Sequence, residues 1–593
     1  MGTRTRTSAV LALALVAALG SAGSALADPA PFGRTCVLAG DHRVCAGDTL
    51  TDRVPSWDGT PIDVDVRIPP TGDGPWPTVV WLHGFGGDKL GLAQQTAEYA
   101  AAGYAAVAVS SRGFGRSCGT PESRTPDCAR GWLHVADQRY EVRDIQHLLG
   151  VLADQRVTIP DRVGATGSSY GGIQALQLAF LKDRVRLPGG GYAPWRSPAG
   201  TPMRVAGAAP MLAWSDAVAA MFPGGDFGDA TTPASTATRT QFGPRLASFF
   251  DLITTGAQVV NFVAPPGADP TVDFRRWLTL SGEALTRPDG KRALDELYRY
   301  RSALAIEGGT PAPLVLAQGW TDSATPVSHA LAVYRTLRAR DRRAKVWMTL
   351  SDFGHWRSMN KRRTTDLVNA RNLRFFDHFL RGGPAVAPAS AVRVYRSDCA
   401  NARSDGPPID AGSYEALARG RVTATRGGRL GTVTSSGGLP SIARGVDPVA
   451  SRQHCTTVPL RSEPGTAALG LRVQRPFTYL GRGVVRARIR GTGGPRGELV
   501  ARLWEIDGDR QRLVDRSVHR VDLPRTGEVR VELNGGARRF ARGTRLRLQL
   551  LGRDAPTYEA PDRSFRIAVS DVRVDLPTRE RDPGRALAVR PRG

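Results

Sequence analysis

A pentapeptide with a serine at its centre is the strongest sign of chemistry in this sequence. Residues 167–171 read GSSYG and match G-x-S-x-G, the pattern in which a strand turns sharply into a helix and exposes a serine hydroxyl. Ser169 occupies the central position and is the predicted nucleophile, whereas Ser168 has the wrong spacing. Gly167 and Gly171 leave room for the tight turn, so we expect a nucleophile elbow here.

A serine hydroxyl is a weak nucleophile, and it needs a base that removes its proton and an acid that orients the base. His355, in the segment SDFGHW, directly follows the predicted strand Val346–Leu350, where a loop at the carboxyl edge of a parallel sheet belongs. His329 and His378 fall in helix-like stretches, where a structural role is expected. His355 is therefore the predicted base.

Two aspartates compete for the role of the orienting acid. Asp322, in GWTDSATP, follows the predicted strand Leu314–Ala317 and satisfies the chain order serine, acid, histidine of α/β-hydrolases. Asp352 lies three residues before His355 in the same short loop, from which its carboxylate would struggle to reach the imidazole. Asp322 is therefore the predicted acid, with Asp352 as the rival.

Acyl transfer also needs hydrogen-bond donors at the oxygen that becomes negative in the tetrahedral intermediate. The segment WLHGFGG, residues 81–87, ends a predicted strand and is similar to the His-Gly oxyanion loops of lipases and esterases. The backbone N–H groups of Phe85 and Tyr170 are the expected donors. His83 is expected to brace this loop and not to catalyse.

The elements that must position these residues alternate along residues 61–385. Short β-rich runs are separated by helix-like stretches, which is typical of a parallel sheet covered by helices. We expect an α/β fold, namely an α/β-hydrolase with a doubly wound, mostly parallel sheet. Its predicted strands are Thr78–Leu82, Ala105–Val109, Arg162–Thr166, Val205–Ala209, Leu314–Ala317 and Val346–Leu350.

The stretch 217–304 interrupts this alternation with aromatic residues, Gly/Pro clusters and helix-like pieces. An insertion of that length between two strands of a sheet is more often functional than idle. We therefore expect it to form a helical lid over the site.

A period of two replaces the helical pattern after a Gly/Pro/Ala-rich link near 382–390. Val485, Ala487 and Ile489 alternate with arginines, so one face of the strand is apolar and the other is charged, as in an antiparallel sandwich. Residues 390–578 are therefore predicted to form a jelly-roll or sandwich domain. The basic segment 579–593 is expected to be disordered.

The first 27 residues have the pattern of a secretory signal peptide. A basic start precedes an apolar run from Ala9 to Leu19, and small residues lead to a cleavage site after Ala27. The apolar run is shorter than the ~20 residues that a spanning helix needs. We expect the mature protein to be secreted, without a transmembrane anchor.

The six cysteines fit such an oxidising compartment. No Cys-x-x-Cys motif indicates zinc, and neither a metal nor a cofactor is expected. Among several possible connectivities we expect three disulfides between sequence neighbours, the first of them in an N-terminal segment, residues 28–60. The expected pairs are Cys36 with Cys45, Cys118 with Cys128, and Cys399 with Cys455.

Charge and length set further limits. With 593 residues, the chain exceeds the roughly 250–300 residues of a single core, so at least two domains are expected. The net charge is +25, and all but five of the 80 basic residues are arginines, spread along the chain without a dense run. This even distribution argues against a nucleic-acid partner. We expect at most weak attraction to an anionic cell envelope.

Several motifs together resemble the X-Pro dipeptidyl-peptidase and cocaine-esterase family of serine hydrolases. They are GYAAVAVSSRGFGRSCG, the YEVRDI helix, RVGATGSSYGG, GWTDSATP and DFGHW. The resemblance implies Ser169, Asp322 and His355 as the triad and a C-terminal jelly roll. Two features depart from the family: HGFGG stands where many members have a loop with a tyrosine donor, and only about residues 28–56 precede the catalytic domain.

Together, these features predict an exported serine hydrolase that cleaves an ester or amide bond through an acyl-enzyme. Its partner is a small-molecule or peptide acyl substrate, either an X-Pro dipeptidyl peptide or a small ester or amide. The alternative of another class is a wall-associated protein that binds a polymer and carries an inactive hydrolase domain.

Overall fold

The computed structural model describes residues 1–2, 29–225, 242–273, 276–277, 280–384, 391–450 and 453–590. The expected signal peptide lies outside these residues except for its first two, and so does the link 385–390. In the described part of the chain, no helix is both long and apolar enough to cross a membrane.

The larger domain is built on one sheet of 11 described strands. The strands of this domain in chain order are β1 (Val37–Ala39), β2 (His42–Cys45), β3 (Val54–Pro55), β4 (Pro61–Ile62), β5 (Val64–Ile68), β6 (Trp76–Leu82), β7 (Ala105–Val109), β8 (Thr158–Ser168), β9 (Arg184–Arg186), β10 (Tyr192–Pro194), β11 (Val205–Met211), β12 (Leu314–Gly319), β13 (Val346–Ser351), β14 (Val392–Tyr395) and β15 (Pro408–Ala411). Four short strands, β3, β4, β9 and β10, pair outside the large sheet.

The order of strands across this sheet is β1-β2-β5-β7-β6-β8-β11-β12-β13-β14-β15. The pairs from β7 to β14 are all parallel, and the pairs at the two edges are antiparallel. All six strands predicted from the sequence are present in this sheet. The predicted α/β fold with a mostly parallel sheet is confirmed.

Helices cover both faces of the sheet. In chain order they are α1 (Ala93–Ala101), α2 (Glu141–Asp154), α3 (Tyr170–Leu181), α4 (Ala217–Met221), α5 (Ala247–Val260), α6 (Pro288–Arg301), α7 (Ser328–Arg340) and α8 (Arg362–Arg381), and α9 (Pro440–Gly445) follows in the C-terminal region. Ile145 and Leu148 of α2 belong to one apolar core, whereas Tyr99 of α1 and Phe376 of α8 belong to a second. Because both faces are covered, a central strand such as β7 can be apolar throughout.

The sheet extends beyond both expected limits of the catalytic domain. β1 and β2 come from the N-terminal segment 28–60, and β14 and β15 follow residue 385. β14 pairs in parallel with β13, and Val392 and Val394 are fully buried. The expected boundaries at 61 and 385 are therefore wrong. Edge strands of three or four residues are too short to show a periodicity of their own.

The C-terminal region forms two antiparallel sheets that share one core. The strands are β16 (Gly420–Thr434), β17 (Val458–Pro459), β18 (Ala467–Val473), β19 (Phe477–Gly481), β20 (Val484–Gly493), β21 (Arg496–Asp507), β22 (Arg510–Asp522), β23 (Arg525–Glu532), β24 (Gly536–Phe540), β25 (Arg545–Leu551), β26 (Phe565–Thr578) and β27 (Leu587–Val589). The first sheet has the order β23-β20-β26-β19-β24, with β16 paired to β26, and the second has the order β17-β22-β21-β25-β18-β27.

The alternation of apolar and charged residues in the sequence corresponds to the packing of these sheets. Val485, Ala487 and Ile489 of β20 lie in the same apolar core as Leu546 and Leu548 of β25. The arginines between them point away from that core, and those at 488 and 490 are exposed. The antiparallel, β-rich C-terminal domain is confirmed.

The segment after Thr578 is ordered as far as residue 590, so the expectation of a disordered tail from residue 579 is wrong. Leu587–Val589 forms β27, which pairs antiparallel with β18. Ala586 and Leu587 are buried in the core of the C-terminal domain. Strand pairing and these two buried side chains anchor a segment whose composition is otherwise basic.

The three expected cysteine pairs are bonded in the structure. The first two close short loops within the catalytic domain. Cys399–Cys455 has a sequence separation of 56 residues and joins the loop between β14 and β15 to the segment that leads into β17. This disulfide therefore links the two domains.

Leu587→Ala tests whether the last strand holds the C-terminal domain together. Because Leu587 is 4% exposed, its truncation leaves a cavity, and we expect the free energy of unfolding to fall by about 2–4 kcal/mol. Urea denaturation followed by the fluorescence of the buried Trp504 measures the loss. Arg585→Ala changes an exposed residue of the same segment and is the control. Equal stability of the two variants would show that the segment contributes nothing.

Candidate active site

The nucleophile elbow is built where β8 meets α3. β8 ends at Ser168 and α3 begins at Tyr170, so Ser169 lies alone between strand and helix, with a φ of 55°. Such a φ is uncommon for a residue with a side chain and is sustained only by the surrounding structure.

Glycines allow this turn to approach the neighbouring strand. A Cβ on Gly171 would lie 2.0 Å from the carbonyl oxygen of Leu82, and a Cβ on Gly167 would lie 2.5 Å from the same atom. No side chain fits at those distances. The pattern G-x-S-x-G thus reflects a close contact between the elbow and the end of β6.

Ser169, His355 and Asp322 form a continuous series of hydrogen bonds. The Ser169 Oγ is 2.8 Å from Nε2 of His355, and Nδ1 of His355 is 2.7 Å from Oδ2 of Asp322. Asp322 follows β12 and His355 follows β13, which are adjacent parallel strands. The sheet therefore brings together three residues that are spread over 186 positions of the chain.

Asp322 is held in its ionised form. Burial disfavours its charge, but the His355 imidazole and the N–H groups of Thr325 and Ala324 outweigh this effect, and the pKa of the carboxyl is lowered. Ala324 and Thr325 donate to Oδ1 at 2.9 and 3.0 Å. A buried carboxylate with these partners is suited to orient an imidazole and to stabilise its protonated form.

Asp352, the rival acid, faces away from His355. Its Oδ1 accepts hydrogen bonds from the Thr321 hydroxyl at 2.5 Å and the Met359 N–H at 3.2 Å. Its Oδ2 is 3.2 Å from Nδ1 of His454. Through these contacts Asp352 stabilises the loop that carries His355. Of the two aspartates, only Asp322 contacts the imidazole.

The segment HGFGG lies beside the nucleophile. A Cβ on Gly84 would lie 3.9 Å from the Cβ of Ser169. Phe85 packs edge-on against Tyr170, with ring centroids 5.6 Å apart. The N–H of Tyr170 is at the first position of α3, where a helix offers no acceptor of its own. Both expected oxyanion donors thus belong to segments next to Ser169.

His83 braces this segment. Its Nε2 accepts a hydrogen bond from the N–H of Ser111 at 2.9 Å, and its Nδ1 is 2.8 Å from the carbonyl oxygen of Gly84. Burial lowers the pKa of His83, consistent with a neutral ring that carries its proton on Nδ1 and donates it to Gly84. His83 makes no contact with the triad.

A pocket opens onto Ser169. The insertion 217–304 supplies one wall, which includes Phe249, Phe250 and Ile253 of α5. Phe249 also packs edge-on against His355, with ring centroids 5.3 Å apart. The described parts of the insertion therefore cover Ser169 and His355 together. We name this space the acyl pocket.

Glu141 is a residue of the site that the sequence alone does not single out. Its buried carboxyl accepts hydrogen bonds from the Tyr170 hydroxyl at 3.0 Å and from the N–H groups of His134 and Asp137 at 2.5 and 3.0 Å. Burial raises its pKa to about 7. Glu141 thereby fixes a loop in which Val135 has a φ of 64° and lines the acyl pocket. The only signal in the sequence that could have identified Glu141 is its place in the YEVRDI segment.

Two family models match separate parts of the catalytic domain. Residues 58–185, which include Ser169, match the X-Pro dipeptidyl-peptidase (S15) family. Residues 248–383, which include Asp322 and His355, match the prolyl oligopeptidase family. No curated protein matches the sequence significantly.

Solved structures with the same fold cover nearly the whole chain. A CocE/NonD family hydrolase from Staphylococcus aureus has a TM-score of 0.57 and 12% identity over 91% of this chain and 93% of that one. An α-amino acid ester hydrolase gives 0.54 and 13% over 92% and 98%. An aminopeptidase from a marine sediment Thaumarchaeota archaeon gives 0.53 and 13% over 89% and 95%.

At these identities the likeness to solved structures shows only the fold. The family models indicate the class of reaction. Both models describe serine peptidases, and together they span the three residues that the sheet brings into hydrogen-bond contact. The chain is a serine hydrolase whose catalytic domain is similar to the X-Pro dipeptidyl-peptidase (S15) family over residues 58–185 and to the prolyl oligopeptidase family over residues 248–383.

Proposed function

We propose that this enzyme hydrolyses a carboxylic ester or amide through an acyl-enzyme on Ser169. The observation that carries the proposal is the hydrogen-bonded series from Ser169 through His355 to Asp322, with distances of 2.8 and 2.7 Å. Nucleophile, base and orienting acid are in the arrangement that this chemistry requires. The acyl pocket beside Ser169 provides room for the group that becomes attached.

In the first half of the reaction the Ser169 oxygen attacks the carbonyl carbon of the substrate. Its proton moves to Nε2 of His355, and the former carbonyl oxygen becomes an oxyanion that the N–H groups of Phe85 and Tyr170 stabilise. Asp322 remains ionised and stabilises the imidazolium through the Nδ1 hydrogen bond. Collapse of the intermediate breaks the bond to the alcohol or amine, which leaves with the proton of His355.

In the second half water takes the place of the leaving group. His355 removes a proton from the water as its oxygen attacks the acyl-enzyme. The second tetrahedral intermediate then collapses, Ser169 regains its proton from His355, and the carboxylic acid is released. Phe249, which packs against His355, limits the space available to bulk solvent during these steps.

We also propose that the enzyme is exported. Three disulfides support this location because such bonds persist in oxidising compartments. The signal-peptide pattern of residues 1–27 supports it independently. A net charge of +25 then favours weak adsorption to an anionic cell envelope.

Ser169→Ala is expected to abolish both labelling by a fluorophosphonate probe and hydrolysis of p-nitrophenyl butyrate. Removal of the attacking oxygen lowers kcat by about 10⁶-fold in such enzymes. Ser168→Ala, its neighbour in the same elbow, is the matched control and should still be labelled. Mass spectrometry of the labelled peptide locates the adduct. Labelling at any residue other than Ser169 would contradict the proposal.

Asp322→Asn and Asp352→Asn separate the two candidate acids. Loss of the Asp322 charge removes the group that sets the tautomer of His355, so we expect kcat to fall by about 10³–10⁴-fold. An asparagine at 352 keeps an oxygen for the Thr321 hydroxyl and should retain activity within about tenfold. Steady-state kinetics decide, and an equal loss in both variants would contradict this assignment.

Expression of the full chain with export tests the proposed processing. N-terminal sequencing of the secreted protein should begin at Asp28, because cleavage is expected after Ala27. The denatured, unreduced protein should release no free thiol, since all six cysteines are paired. Retention of the first 27 residues in a cell-associated product, or thiols that titrate before reduction, would be the contrary results.

A further inference from the structure

The charges around the acyl pocket indicate which substrates it excludes. Among the described residues that line the pocket there is no aspartate or glutamate, and the only charged ones are Arg245 and Arg301. The remaining lining is mainly aromatic and aliphatic, with Ser169 at one end. A group that enters the pocket therefore meets mainly apolar surface and no described carboxylate.

The acids that balance these two arginines do not face the pocket. Arg301 is fully buried, lies 3.1 Å from Asp137 and donates to the carbonyl oxygen of His134 at 2.8 Å. It also lies 3.6 Å from Glu296, which is not a lining residue. Arg245 contacts Asp251, whose side chain is 52% exposed. Neither aspartate is among the lining residues. The balancing charges are thus held in the wall and at the outer surface.

The buried carboxyls of Asp322 and Glu141 are also engaged by other residues of the protein. Asp322 is engaged by His355, Ala324 and Thr325. Glu141 lies behind Tyr170, whose hydroxyl donates to it at 3.0 Å. Each of these carboxyls is separated from the pocket by the residue that it orients. Neither offers an oxygen to a bound substrate.

An acyl group with a free amine is poorly suited to this environment. At neutral pH its α-ammonium would lose its hydration and find no anion among the described lining residues, where the only charged side chains are the two arginines. An uncharged alkyl or aryl chain loses nothing polar and buries its surface against Phe249, Phe250 and Trp277. The pocket therefore discriminates by charge as well as by size.

We infer that the acyl pocket selects uncharged, apolar acyl groups, so that the enzyme is a carboxylesterase or acyl-amide hydrolase and not an aminopeptidase or dipeptidyl-peptidase. This inference rests on the proposed function of Ser169 and adds the class of substrate. It also assigns the inner face of α5 as the determinant of specificity. Phe249, Phe250 and Ile253 lie on this face, whereas Leu252 lies on the opposite one and is 40% exposed.

A matched pair of substrates tests the charge rule. p-Nitrophenyl butyrate and the p-nitrophenyl ester of 2-aminobutyrate differ only by the α-ammonium group, which makes the second ester more reactive towards hydroxide. A preference for the butyrate in kcat/KM can therefore arise only from the enzyme. We expect a ratio of at least about 100-fold, and no release of nitroaniline from Ala-Pro-nitroanilide. A ratio near one, or turnover of the nitroanilide, overturns the inference.

A carboxylate placed in the pocket should weaken the preference for the uncharged ester. Ile253→Asp puts an anion on the inner face of α5, so we expect the ratio of butyrate to aminobutyrate to fall by at least about tenfold. Leu252→Asp adds the same charge to the outer face of the same helix and should leave the ratio unchanged. Equal ratios in both variants, with Ile253→Asp still labelled, contradict the assignment of α5.

Labelling by the fluorophosphonate distinguishes a failure of the proposed function of Ser169 from a failure of the inferred selectivity for apolar acyl groups. Absence of an adduct on Ser169 in the folded wild-type protein refutes the proposed function itself. An adduct together with efficient cleavage of the aminobutyrate ester leaves that function intact and refutes only the apolar selectivity. If Ile253→Asp does not fold, Ile253→Trp is the second variant. It should reduce hydrolysis of the octanoate ester more than that of the acetate ester, and an unchanged ratio of these esters overturns the role of α5.

Discussion

The contact between the carbonyl oxygen of Leu82 and the elbow glycines is the constraint on which the active site depends. The approach leaves no space for a Cβ on Gly167 or Gly171, so the end of β6 and the start of α3 are held at a fixed separation. The segment that follows Leu82 is HGFGG, and the proposed nucleophile, Ser169, is the middle one of the three residues between the two glycines. One backbone contact therefore sets the distance between the expected oxyanion donors and the attacking oxygen.

The parallel sheet positions the other two residues of the proposed triad. Asp322 and His355 follow β12 and β13, which pair in parallel with each other, and β12 pairs with β11 beside the elbow strand β8. Loops that follow neighbouring parallel strands emerge at the same edge. Strand order thus brings the three residues of the proposed triad together.

Features repeated along the sequence were predictable, and features set by single long-range contacts were not. Apolar runs identified the central strands because a strand buried on both faces must be apolar throughout. Edge strands such as β15 and the terminal β27 were not predicted, since each is defined by its partner strand and not by a pattern of its own. Ser169, His355 and Asp322 could be predicted from the sequence because each lies in a segment that follows a predicted strand. Glu141 was not, because its role depends on Tyr170 and on a loop that no local pattern describes.

The histidine loop shows why the C-terminal domain matters to chemistry that it does not perform. Arg357, two residues after His355, donates to the carbonyl oxygen of Val446 at 3.1 Å and accepts at its own carbonyl from the N–H of His454 at 2.6 Å. His454 is next to Cys455, which the disulfide ties to Cys399. The loop is therefore held from one side by Asp322 and from the other by the β-rich domain. Since a shift of about 1 Å in a catalytic group can cost roughly 10²-fold in rate, this second attachment belongs to the catalytic architecture as much as the sheet does.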